Sequence, residues 1–423
     1  MAFLLFHYQP FRALYLTYEI LTTVFVRVPF WVVTSLPRSW RPRPAWSLKR
    51  VVNFNLLCRI NRVFKRIDPV QGIPNHLALE SGVNVNGVWV EAAPQLVTSP
   101  LKEWAHAASV APLRIPGYWL HKKTSSIPVG APPMPKEKVV YALHGGAYIA
   151  LSAHPNSPVS AIPKGLLKHV GTVHRVFSIE YRLSGGLPHK SQDENPFPAA
   201  LLDAIAGYNY LVNVVGFDPT DIILDGDSAG ANLALALTRY LVEHQNDTQV
   251  KLPKPPGSLL LLSPWADLSF SHDIDPKTST SHLNHKSDFI DMRSSNKWMQ
   301  YAKRVYTGPH GLGAAEVNAY ISPASLHYSV KDSATGPAVL FKGFPRTFIV
   351  GGGAEVLIGQ IRTLKDRMIR DLGEGDGVKP GEGKVRYYEV PDGIHDYLIF
   401  AWHEPERTET SKAIAAWIDQ TVQ

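Results

Sequence analysis

Ser228 stands in the run Ile222-Ile223-Leu224-Asp225-Gly226-Asp227-Ser228-Ala229-Gly230-Ala231-Asn232-Leu233-Ala234-Leu235. A branched apolar triplet leads into a glycine-flanked serine, then into small and apolar residues at helical spacing, a pattern that predicts strand, tight turn and helix. Gly226 and Gly230 omit the Cβ atoms that would clash where the chain doubles back, so Ser228 can occupy a strained corner and present its hydroxyl. That is the setting of a nucleophilic serine. Upstream, the strand pattern Val139 to Leu143 ends in His144-Gly145-Gly146-Ala147-Tyr148. The N–H groups of Gly145 and Gly146, with that of Ala229, are the expected donors to an oxyanion. His144 is expected to orient this glycine loop, and Asp227 to cap or pair locally with its side chain turned away from Ser228.

A serine hydroxyl needs a base, and the base needs an acid to fix its tautomer. Among seventeen histidines, position selects His395, in Val390-Pro391-Asp392-Gly393-Ile394-His395-Asp396-Tyr397, just after the last strand pattern. The acid is expected after the preceding strand, in Ile349-Val350-Gly351-Gly352-Gly353-Ala354-Glu355, where Glu355 is the first carboxylate; Asp392 and Asp396 are the alternatives. The chemistry these residues would perform is ester cleavage through an acyl-enzyme, with no cofactor. A metal is not expected: His272, His282 and His285 occur with Asp273, Asp275 and Asp288 in one polar stretch, but without a His-Glu-x-x-His or other compact ligand pattern. Gly351-Gly352-Gly353 lacks the spacing of a dinucleotide loop.

From residue 138 onward, strand and helix patterns alternate, which predicts a mostly parallel sheet covered on both faces. Strands are expected at Val139 to Leu143, Val176 to Ile179, Ile222 to Leu224, Leu259 to Leu262, Phe348 to Val350 and Val385 to Val390. Ahead of them, alternation around Val83, Val85, Val88 and Val90 predicts a hairpin turning near Asn86-Gly87. Trp104, Tyr118 and Trp119 suit either the roof of a pocket or the core. Some eighty residues without a central strand separate Ser263 from Thr347, so a helical cap insertion over the active site is expected at about 265–345, its best helix Met292 to Val305.

The 423-residue chain can bury a large core, and its 45% hydrophobic and 19% charged residues are an ordinary globular balance. One cysteine, Cys58, excludes an intrachain disulfide framework. The net charge of +7 is not a nucleic-acid signal: residues 38–66 hold nine Lys/Arg and no acid, and residues 1–37 add +1, leaving −3 for the remainder. Residues 3–36 are rich in Phe, Leu, Tyr, Val and Trp but are interrupted by Arg12, Glu19 and Arg27, so a clean transmembrane span is not expected. The first residues also lack the charge and cleavage pattern of a signal peptide. Residues 1–66 therefore predict helices lying in or dipping into a membrane surface, with a basic stretch toward anionic headgroups; packing over the catalytic domain or on a partner subunit is the alternative. Residues 67–423 form the catalytic unit.

The motifs together resemble the hormone-sensitive-lipase branch of the α/β hydrolases, which includes arylacetamide deacetylase and fungal steryl acetyl hydrolases. The resemblance rests on His144-Gly145-Gly146, Glu180-Tyr181-Arg182-Leu183, Phe197-Pro198-Ala199-Ala200, Gly226-Asp227-Ser228-Ala229-Gly230, the Glu355 turn and His395. It implies the α/β-hydrolase fold, a mostly parallel eight-stranded sheet with a helical cap, and hydrolysis of a hydrophobic small-molecule ester such as an acetylated lipid or sterol. Acyl transfer and noncatalytic ligand binding are the other outcomes such scaffolds support. Its membrane-associated members imply a membrane location such as the endoplasmic reticulum, on either face. Two positions depart from the family pattern: Ala147 replaces a third glycine, and Glu355 replaces the usual aspartate.

Overall fold

A computed structural model of the chain describes residues 4–67, 74–80, 82, 85–123, 125–185, 194–328 and 340–420. The strands are β1 (Asn86–Val90), β2 (Ile115–His121), β3 (Lys138–Leu143), β4 (Val173–Ile179), β5 (Ile222–Asp227), β6 (Ser258–Leu262), β7 (Arg346–Gly352) and β8 (Val385–Val390). They make an eight-stranded sheet in the order β1-β2-β4-β3-β5-β6-β7-β8. β2 runs antiparallel to both β1 and β4, and every other neighbouring pair is parallel.

The central strands read as unbroken apolar runs because both faces are covered. Leu259 and Leu261 of β6 face one core with Val139, Tyr141, Ile222 and Leu224, whereas Leu260 and Leu262 face the other with Val140, Ala142 and Ile223. The helices Ala199–Asn209, Ala229–Glu243 and Ile358–Leu372 cover the first face. Ala161–His169, Glu406–Asp419 and part of the N-terminal segment cover the second.

The expected hairpin is not formed. Asn86-Gly87 opens β1 instead of turning it, and β1 pairs with β2, with Val90 opposite Ile115; Val83 lies outside the described residues. Tyr118 and Trp119 are buried in β2, and Trp104 packs on Phe197 and Tyr320. Among the described residues of the region 265–345 the longest helix is Lys297–Thr307, capped by the Asn296 side chain on the amides of Trp298 and Met299; residues 329–339 lie outside the described set.

At the N-terminus, Phe11–Thr34 is one continuous helix of 24 residues, long and apolar enough to cross a membrane, with 6% of its most apolar window buried. The charges that interrupt it in sequence do not break it in space. Glu19 is buried against Arg59 of the helix Leu48–Ile67, with Arg59 Nε donating to Glu19 Oε2 at 2.8 Å. Residue 66 does not mark a gap in packing, because Trp46, Val51 and Phe54 share one buried cluster with Phe348, Tyr397 and Trp417.

Candidate active site

The candidate residues converge at the C-terminal edge of the parallel strands, where loops leave the sheet. Ser228 follows β5 at φ 52° and ψ −116°, a strained conformation at the start of the helix Ala229–Glu243. The corner requires its glycines: a Cβ on Gly230 would lie 1.9 Å from Leu143 O, and one on Gly226 would lie 2.4 Å from Gly230 C.

His395 Nε2 lies 3.0 Å from Ser228 Oγ, and its Nδ1 lies 2.9 Å from Glu355 Oε2. All three residues are buried, Glu355 completely. Of the three carboxylates considered for the acid, Glu355 reaches Nδ1. Its other oxygen accepts hydrogen bonds from Gly352 N (2.5 Å) and Ser263 Oγ (3.1 Å). Asp392 points elsewhere, 3.2 Å from Arg43 Nε. Asp396 takes a third position: its Oδ2 lies 3.1 Å from Nε2, the nitrogen that faces the serine.

This carboxylate crowding sets the electrostatics. Burial acts against the imidazolium, but Asp396 and Glu355 outweigh it and hold His395 well above the ordinary histidine range. Burial raises the carboxyl of Glu355, although its contacts with His395 oppose the shift. Asp227 is raised well above the usual carboxylate range by burial, with Asp396 and Asp225 adding to it.

The oxyanion loop departs from the sequence reading at one residue. Gly145 N donates to Asp227 Oδ2 at 3.0 Å, so that amide is committed and Gly145 is not a free oxyanion donor. Asp227 is thus the partner that seats the loop. Among the described residues, Gly146 N and Ala147 N make no hydrogen bond, which leaves them beside Ala229 at the helix start as the available donors. Ala147 is left-handed at φ 55°, a conformation glycine takes more easily. His144 stacks on Tyr181 at 4.3 Å, and Tyr181 Oη donates to His144 O at 2.5 Å.

Sequence reasoning passed over Ser263 and the structural use of Asp288. Asp288 Oδ2 accepts from Val356 N at 2.8 Å, and Oδ1 accepts from Phe289 N at 2.8 Å and more loosely from His395 N at 3.4 Å. An aspartate of the insertion therefore touches both the acid turn and the base loop. Burial pushes its carboxyl up to about 7. Elsewhere in the same stretch, His272 Nδ1 lies 2.7 Å from Asp267 and His282 Nε2 lies 3.0 Å from Asp273. Among the described residues no three His, Cys, Asp or Glu side chains gather as a metal site.

A family model described as alpha/beta hydrolase fold matches residues 139–398. The chain belongs to this family. Esterase LipU of Mycobacterium tuberculosis is 26% identical over 284 residues, spanning 66% of this chain and 77% of that one. An acetyl-hydrolase of Streptomyces hygroscopicus is 28% identical over 277 residues, 64% and 71% of the two chains. The crystal structure of an esterase from the bacterial hormone-sensitive lipase family shares the fold, with a TM-score of 0.54 and 19% identity over 90% of this chain and all of that one. As an α/β hydrolase with such relatives, the protein is an ester hydrolase of the esterase and lipase type.

Proposed function

We propose that this α/β hydrolase cleaves a hydrophobic ester, such as an acetylated lipid or sterol, through an acyl-enzyme on Ser228, at a membrane surface that residues 1–66 engage. The contact that carries the reading is His395 Nε2 at 3.0 Å from Ser228 Oγ, backed by Glu355 on Nδ1. His395 takes the proton as Ser228 Oγ attacks the ester carbonyl, and Glu355 stabilises the imidazolium that results. The amides of Gly146, Ala147 and Ala229 receive the developing oxyanion. The proton passes to the leaving alcohol, and water, deprotonated by His395, releases the acid and restores the serine.

The surroundings favour an apolar substrate. Phe289 lies beside the His395 ring at 5.9 Å between centroids, and Phe400 and Trp402 continue the aromatic row. The name acetyl-hydrolase carried by one relative agrees with a short acyl group. Ser228→Ala is expected to lower turnover of p-nitrophenyl acetate by at least about 10⁴-fold. Turnover near that of the parent would remove Ser228 from the reaction. A product assay in the presence of competing alcohols separates hydrolysis from acyl transfer: free acid is the expected main product.

A further inference from the structure

Arg43 lies between the two N-terminal helices, far in sequence from the strands, yet its guanidinium reaches both turns that carry the acid and the base. Nη2 donates to Gly353 O at 3.1 Å and to Pro391 O at 2.8 Å, and Nε donates to Asp392 Oδ1 at 3.2 Å. Gly353 is two residues before Glu355, and Pro391 and Asp392 are four and three before His395. Trp46 adds a fourth tie, its Nε1 donating to Asp392 O at 3.0 Å.

The two turns touch directly beneath this clamp. Gly353 N donates to Val390 O at 2.7 Å and Ala354 N to Gly393 O at 2.9 Å. A Cβ on Gly353 would meet Pro391 O at 2.5 Å, so the spacing between the turns leaves no slack for a side chain. A planar guanidinium presents several donors in a fixed fork and can hold two carbonyls and a carboxylate together; a lysine ammonium lacks that shape.

We propose that Arg43 is a positioning residue for the hydrolase reaction, setting the distance between the Glu355 turn and the His395 loop. The tie also runs outward. Arg41 Nε donates to Ser35 O at the end of the first helix at 2.8 Å, and Arg41 Nη1 donates to Trp46 O at 2.6 Å. The N-terminal segment is therefore linked hydrogen bond by hydrogen bond to the base loop, and acts as part of the catalytic framework besides any role at a membrane. The Arg43–Asp392 pair is part-exposed, both side chains at 29%, so its loss should disturb geometry more than global stability.

The inference rests on the Ser228 reading, and Ser228→Ala tests that reading separately. The full-length protein in detergent is assayed on p-nitrophenyl acetate as parent, Arg43→Ala and Arg43→Lys, with thermal melts of each. Misplacement by an ångström costs about 10²-fold in rate, so both variants are expected to lose about 10- to 100-fold in kcat with KM within about twofold. Millimolar guanidinium is expected to restore part of the loss in Arg43→Ala, where it leaves a vacancy, and none in Arg43→Lys. If Arg43→Ala does not fold, Arg43→Lys decides alone: a lowered kcat at a parent-like melting temperature supports the proposal. A kcat within about twofold of the parent in either folded variant overturns it, as does a loss that only follows the fraction unfolded.

Discussion

At the scale of single residues, the unusual feature is a carboxylate on the wrong side of the base. Glu355 on Nδ1 is the partner that a serine mechanism needs, whereas Asp396 Oδ2 at 3.1 Å from Nε2 competes with Ser228 for the same nitrogen. Around the imidazole lie Glu355, Asp396 and Asp288, and Asp227 is close enough to feel its charge. The sign follows directly. His395 acts as a base only when neutral, and the neighbouring carboxylates raise its pKa, so the acid limb of kcat/KM sits at higher pH than an ordinary histidine would give. Asp396→Asn removes one of those charges and keeps a residue that tolerates the left-handed backbone at φ 48°. The acid limb is expected to move toward lower pH, with kcat/KM at pH 6 rising relative to its own plateau. An unmoved limb in a pH–rate profile would show that Asp396 does not bias the base.

At the scale of elements, β5 contains a second anomaly. Asp225 is 2% exposed inside a central strand, its Oδ1 has no hydrogen-bond partner among the described residues, and burial pushes its carboxyl up to about 8. The folded chain keeps that proton up to about pH 8, while the unfolded chain gives it up near 3.8. Stability must therefore fall as pH rises between those values. Asp225→Asn is expected to match the parent below pH 4 and exceed it at pH 8, by an upper bound of about 5 kcal/mol; equal urea midpoints at pH 8 would refute this. The strand itself is legible from its apolar lead Ile222-Ile223-Leu224, because a buried parallel strand opens as a continuous apolar run, and β3, β6 and the Phe348-Ile349-Val350 stretch of β7 are legible for the same reason. β2 is not: Pro116 and Gly117 interrupt its pattern, and its pairing with β1 joins segments some thirty residues apart. Ser228, His395 and Glu355 could be placed from their strands, since each follows a strand end. Gly145 misled because its amide reads like any other loop donor until Asp227 is seen to occupy it. The contacts of Arg43 with Gly353 and Asp392, more than 300 residues away, leave no local pattern at all.

At the scale of the whole molecule, the first helix has an apolar surface left exposed by the described residues. Leu14, Ile20, Phe25, Phe30 and Val33 are 62–72% exposed, far beyond the isolated apolar residue that a soluble surface tolerates. Twenty-four residues at 1.5 Å each give about 36 Å, close to the hydrocarbon thickness of a bilayer. Of the three charges in this helix, Glu19 is buried against Arg59 of the second helix and Arg27 lies 3.5 Å from Glu19. The lipid surface proposed above can be tested here, because two forces can be separated. Apolar insertion survives high salt, whereas attraction of the basic segment to anionic headgroups is screened. The full-length protein is expected to float with neutral vesicles in 1 M salt, and the triple variant Phe25→Asp, Phe30→Asp, Val33→Asp to remain with the soluble fraction. Because these three side chains are exposed, the variant should keep p-nitrophenyl acetate turnover within about twofold, yet lose about tenfold or more on a long-chain ester presented in vesicles, where access depends on sharing the surface. Flotation of the triple variant at the parent level would assign that exposed face to something other than lipid. Equal loss on both esters would mean that the helix holds the catalytic framework directly, through the same hydrogen-bonded path that runs from Ser35 to Asp392.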